Sequence, residues 1–203
     1  MASDPRQEPF PSVDIDPALY QQAMDQHALD VAARAASAAP PPPRRQPVAS
    51  LATSARGGDF IKAWEGSRSH VYGDVATNPT IGYGHLVKPG EQFPHGLTAD
   101  QRQELFTADL GRHEQIVRDA VNVPLTQGEF DALVSLAYNI PAALRPRSTL
   151  LKLLNAGDYE GAARQFDVWN MARKDGRKTV IPGLAKRRGA ERTVFQGGDY
   201  RGP

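Results

Sequence analysis

Two carboxylic acids and a hydroxyl stand close together in the first half of the chain: Glu65, Asp74 nine residues later, and Thr80 six beyond that. A protonated carboxyl and an ionised one can together break an acetal. The first protonates the leaving oxygen, and the second orients a water or stabilises the oxocarbenium-like centre. The neighbours of each group favour that division. Trp64 adjoins Glu65, and its bulk would lower the local polarity and raise the carboxyl pKa, as a general acid at neutral pH requires. Asp74 lies in a turn-rich stretch that would leave it hydrated and ionised, and Thr80 offers a hydroxyl able to hold a water. Taken alone, such a pair is more often a helix-end Glu and a turn Asp with no chemistry, so the surrounding elements have to decide.

The elements that would carry these residues can be read from pattern. Asp59 can cap a helix with Phe60, Ile61 and Trp64 on its apolar face, and Gly66 can close it directly after Glu65. From His70 to Leu86 the pattern becomes short β-type segments, His70–Tyr72 and Thr80–Tyr83, flanking a turn through Thr77, Asn78 and Pro79. Thr98 with Gln101 forms a capping-box signature before Ala99–Leu110, and Thr126 with Glu129 opens a second helix. That second helix carries Phe130, Leu133, Val134, Leu136, Ala137 and Ile140, so it is apolar around much of its circumference and belongs in the core. Shorter helices are expected over Thr149–Leu154, Tyr159–Trp169 and Leu184–Phe195. The expected class is α+β, a small β-hairpin lobe and a larger helical lobe flanking a cleft.

Other conspicuous residues read as structural. Trp169 suits the core of the helical lobe, and Gly82 and Gly84 mark places where a side chain would obstruct the sheet or the cleft. His85 is either a satisfied structural histidine or a residue bonding near Glu65. The five histidines show no metal-ligand spacing and the chain has no cysteine, so neither a metal nor any other cofactor is expected.

The residues around the acid pair carry a resemblance. Trp64-Glu65-Gly66, Tyr72-Gly73-Asp74 and Thr80-Ile81-Gly82-Tyr83-Gly84-His85 closely resemble the phage T4-type lysozyme family, glycoside hydrolase family 24. Leu125–Ser135 is similar to the family's central helix and Tyr138-Asn139 to its end. Ser148–Lys152 with Leu154–Asp158, and Pro182–Arg188 with Glu191-Arg192, continue the similarity to about Gly197. The resemblance implies a lysozyme-like fold and a muramidase that hydrolyses the β-1,4 bond between N-acetylmuramic acid and N-acetylglucosamine in peptidoglycan. It implies Glu65 as general acid, Asp74 positioning the attacking water, Thr80 assisting, and inversion at the anomeric carbon. Inversion in turn predicts carboxyl groups about 6.5–9.5 Å apart. Leu86, Tyr138 and Thr149 fall at positions that line the sugar cleft in relatives. The chain departs from the pattern at Pro141, where many relatives have glycine, which puts the helix end and its adjoining loop in question.

Residues 1–56 read as a Pro- and Ala-rich extension, disordered or docked on a partner, and residues 57–203 as the muramidase domain. The extension holds the polyproline-type linker Ala39–Pro47 and, after Asp16-Pro17, an alanine-rich helical pattern with a thin apolar stripe. Its expected partner is a phage structural protein or a secretion component. No stretch is apolar enough to span a bilayer, and the N-terminus lacks a signal-peptide core, so delivery to the periplasm and cell wall falls to a holin, a virion or a secretion machine. Formal net charge is +1, yet from Arg164 onward ten Lys/Arg face four Asp/Glu. That excess suits an anionic polymer, or is a solvated basic face. Without aromatic interleaving or a recognition motif, nucleic acid is not the expected partner. The alternatives to a phage endolysin or virion-associated lysozyme are a secreted antibacterial effector, a lytic transglycosylase, and a non-catalytic peptidoglycan-binding protein.

Overall fold

A computed structural model describes residues 17–38, 44–72, 79–174 and 177–203. The chain divides into two compact units, residues 1–42 and 43–203. In the first, helix α1 spans Pro17–Ala38, beginning on the proline expected at the first helical position. Met24, Leu29 and Val31 on α1 are exposed.

The second unit begins earlier than residue 57, because residues 44–56 pack on it. Gln46 and Leu125 exchange backbone hydrogen bonds of 2.7 and 2.8 Å. Arg45 binds Glu129 at 2.6 Å and lies over the Tyr159 ring, while Leu51 enters the core. Helix α2 is Ala55–Glu65, and its N-cap is Ser54 rather than Asp59. Gly57 and Gly58 lie inside this helix instead of before it. They look like breakers in the sequence, but their bare backbone lets the helix pack closely.

Three short strands follow, β1 Arg68–Tyr72, β2 Thr80–Gly82 and β3 His85–Leu86, in an antiparallel sheet of order β1-β2-β3. The register sets Thr80 opposite Leu86 and Ile81 opposite His85. Ile81 is fully buried and anchors the sheet.

Helix α3, Ala99–Ala120, opens with the Thr98/Gln101 capping box and runs ten residues past Leu110. Gly111 does not end it, since an exposed glycine inside a long helix costs only about 1 kcal/mol. The Thr126/Glu129 box starts α4, Gln127–Asn139, in which every residue from Glu129 to Ala137 is buried. After α4, Pro141–Leu144 forms a 3-10 turn with the proline at its start, so the departure at Pro141 falls just beyond the helix end. Helices α5 (Thr149–Asn155) and α6 (Tyr159–Arg164) follow, the latter continuing as 3-10 turn to Val168. Trp169 packs against the core. A hairpin not expected from the sequence, β4 Met171–Lys174 and β5 Arg177–Val180, leads into α7, Pro182–Phe195.

Helix α4 is the axis of this unit. Phe130, Leu133, Leu136 and Leu154 are fully buried around it, each contributing roughly 1.5–3 kcal/mol through removal from water. Helix α7 packs tightly along α4: a Cβ at Gly128 would stand 2.7 Å from the Val194 carbonyl.

Candidate active site

Glu65 is the last residue of α2, and both ends of that helix are fixed. At the N-terminus the buried Asp131 of α4 accepts from the Ser54 amide at 3.0 Å, the Ser54 hydroxyl at 2.6 Å, Gln127 at 2.9 Å and the Tyr200 hydroxyl at 2.7 Å. A carboxylate at this end also complements the helix dipole. At the C-terminus Gly66 takes φ +68°, left-handed and suited to glycine, while its amide bonds the Lys62 carbonyl. The chain therefore turns away immediately after Glu65.

The carboxyl group of Glu65 meets three elements. Its Oε1 lies 2.6 Å from Nη1 of Arg187 on α7, and the Glu65 side chain is only 16% exposed. Its Oε2 faces Gly84 in the β2–β3 turn, where a Cβ would stand 2.9 Å from that oxygen and 3.7 Å from the Tyr138 ring. Tyr138, near the end of α4, donates its hydroxyl hydrogen bond to the Tyr83 carbonyl at 2.8 Å, which ties the turn to the helical lobe. Burial pushes the Tyr138 phenol above its ordinary range, with the Glu65 charge adding to the effect. Behind Tyr138, His113 stacks at 4.6 Å between ring centroids and bonds the Asp109 carbonyl through Nδ1. Burial, helped by the Arg112 charge, lowers the His113 imidazole to about 4.

Arg187 is itself held on every nitrogen. Nε donates to Glu191 Oε1 at 3.0 Å, and Nη2 reaches the Ser135 carbonyl at 3.4 Å. Glu191 also accepts from the Ser135 hydroxyl at 2.7 Å and from Arg188 Nη2 at 2.9 Å. The Arg188 Nε–Glu191 Oε2 contact of 2.7 Å is electrostatic rather than a well-directed hydrogen bond. Burial pushes the Glu191 carboxyl up, opposed by Arg188 and Arg187, and pushes the Arg188 guanidinium down. The basic excess of the C-terminal region is thus not wholly a solvated face, because Arg187 and Arg188 are buried.

The expected site residues have different fates. Glu65 and Tyr138 are brought together. Thr80 is half-buried on β2, directly across the ladder from the exposed Leu86. Thr149 is exposed as the first residue of α5. Asp74, and with it the separation of the two carboxyls, lies outside the described residues. His85 is a structural histidine: its ring nitrogens lie 2.8 Å from Asp109 and Glu91. The apolar setting expected for Glu65 is replaced by a guanidinium. Trp64, turned by about 100° around the helix, packs instead on the core and edge-on to Phe60. Sequence reasoning missed Arg187, Glu191 and His113. Arg187 and Glu191 had one visible signal, their i, i+4 spacing on α7. Two concavities of about 730 and 840 Å³, one bordered by Leu144 and Leu151 and the other by Phe93 and Leu97, do not include Glu65. The close approach of three elements, rather than cavity size, marks the site.

A family model described as phage lysozyme matches residues 62–191. The chain belongs to the phage lysozyme family. This lysozyme is 38% identical over 145 residues to an endolysin of Acyrthosiphon pisum secondary endosymbiont phage 1, covering 70% of the chain and 97% of that relative. An endolysin from Escherichia coli O157:H7 phage FAHEc1 superposes with a TM-score of 0.67 at 36% identity, covering 79% of this chain and 99% of that one. The muramidase domain of SpmX from Asticaccaulis excentricus superposes with a TM-score of 0.64 at 32% identity, covering 75% and 98%. The α+β architecture is lysozyme-like, and the lysozyme is a glycosidase that cleaves the peptidoglycan of the bacterial cell wall.

Proposed function

We propose that this lysozyme hydrolyses the β-1,4 bond after N-acetylmuramic acid by inversion, with Glu65 as general acid, Asp74 positioning the attacking water and Thr80 assisting it. The observation that carries the reading is the two-sided environment of Glu65. One carboxyl oxygen is held by Arg187 at 2.6 Å, while the other is turned to the gap that Gly84 leaves open. A carboxyl so held can give up a proton from the free oxygen, and the carboxylate left behind meets a cation already in place. Such preorganised charge needs no rearrangement during the reaction. Leu86, exposed across from Thr80, offers an apolar surface to a sugar ring. Tyr138 beside Glu65 and the exposed Thr149 complete the proposed contacts.

The test is digestion of purified Gram-negative peptidoglycan followed by mass spectrometry of the products. Reducing muramic acid ends, with activity abolished in Glu65→Gln and Asp74→Asn, are expected. Anhydro-muramic ends would assign transglycosylation and remove Asp74 from its role.

The first unit supports a second part of the proposal: α1 docks on a phage structural protein or secretion component that delivers the enzyme to the cell wall. Its exposed Met24, Leu29 and Val31 support this reading. Deleting residues 1–42 is expected to abolish particle incorporation or export while leaving cleavage of purified peptidoglycan unchanged. Delivery that survives the deletion would reject the docking role.

A further inference from the structure

The cluster behind Arg187 has a direction that cohesion alone does not require. Four ionisable side chains, Glu65, Arg187, Glu191 and Arg188, run from the site into the core, and Glu191 and Arg188 are fully buried. Buried ion pairs give little net stability, and apolar residues of the same volume often serve as well or better. What the charges provide here is orientation. An arginine facing a carboxylate frequently adopts a two-bond fork. Arg187 does not, because its Nε is turned to Glu191 and its Nη2 to the Ser135 carbonyl, leaving Nη1 for a single bond to Glu65 Oε1.

We infer that Glu191 is a positioning residue for Glu65: acting through Arg187, it enforces one-bond pairing and so keeps Glu65 Oε2 available to carry the proton. Ser135 fixes Glu191 from α4, and Arg188 balances its charge. The inference rests on the reading of Glu65 as general acid. Its chemical content is simple. With Glu191 neutralised, Arg187 swings to grip both oxygens of Glu65 and holds the carboxylate form. The acid is then lost at a lower pH, and fewer molecules are competent at neutrality.

Rates on purified peptidoglycan are compared across pH for the full chain and for Glu191→Gln, Arg188→Met/Glu191→Gln and Glu65→Gln. Glu191→Gln alone strands the Arg188 charge, so the double variant, which removes one charge of each sign, keeps the test decisive if the single one does not fold. For Glu191→Gln the expected result is a fall in kcat of about tenfold with KM within about twofold, and an alkaline limb moved at least ~0.5 pH unit lower. The double variant keeps a lowered limb, because Arg187 is equally free there to grip both oxygens. The kcat defect persists because Nε has lost its carboxylate anchor. Folded variants with an unmoved limb and unchanged kcat overturn the inference, and so does full recovery of kcat in the double variant. If Glu65→Gln remains active, it is the acid assignment that fails. If Glu65→Gln is inactive while the Glu191 variants behave like the parent, only the positioning role fails.

Discussion

Gly84 faces Glu65 so closely that a methyl group on its α-carbon would stand 2.9 Å from Oε2. The backbone there has φ +82°, a left-handed conformation that favours glycine. Gly84→Ala therefore brings two separate penalties. Backbone strain is expected to cost about 1–2 kcal/mol in urea unfolding. Displacement of the Glu65 carboxyl is expected to lower kcat by about tenfold or more. A folded variant with the parent's kcat would show that this approach does not govern the acid.

Tyr138 ties the β2–β3 turn to α4 through its hydroxyl. In Tyr138→Phe the Tyr83 carbonyl loses its donor, with an expected loss of about 1 kcal/mol. The turn carrying Gly84 is then less firmly registered against Glu65, so the lysis rate is expected to fall several-fold. A urea midpoint and a turbidity assay on the same sample would separate the two effects.

His113 makes stability depend on pH in a defined window. Its native imidazole titrates at about 4, against the ordinary value of 6.5 in the unfolded chain. Between those values the unfolded chain binds the extra proton, so the native state loses stability as pH falls from 6.5 toward 4 and keeps it in full above 6.5. Allowing for partial solvent exposure, the loss is on the order of 1–2 kcal/mol. His113→Gln is expected to flatten that part of the stability profile. Equal slopes for variant and parent between pH 4 and 6.5 would assign the dependence elsewhere.

The boundary between the units can be tested by truncation. Removing residues 1–42 is expected to leave the urea midpoint of the lysozyme unit unchanged. Removing residues 1–56 also deletes the Arg45–Glu129 pair, the Gln46–Leu125 bridge, buried Leu51 and the Ser54 cap, and is expected to cost roughly 3–5 kcal/mol.

What the sequence made legible was mostly local. The capping boxes of α3 and α4 declare themselves within four residues, and both form as expected. Gly57-Gly58 misled because glycine pairs usually punctuate. Here a side chain at Gly57 would collide with Asp131, 74 residues away, a constraint that no local window contains. The β4–β5 hairpin escaped notice because Met171–Val180 is short, charged and without apolar alternation. Glu65, the proposed acid, was legible from its motif. The cation beside it was not, since Arg187 reads as one more basic residue until α7 is laid along α4.

The pairing of Glu65 with Arg187 also has a consequence in time. Glu65 is synthesised 122 residues before Arg187, and most of the lysozyme unit separates them. A nascent chain therefore carries the glutamate long before the guanidinium that orients it exists. A fragment ending before α7 would carry Glu65 without its ion-pair partner, and is expected to lack the fixed orientation that the full chain gives this side chain.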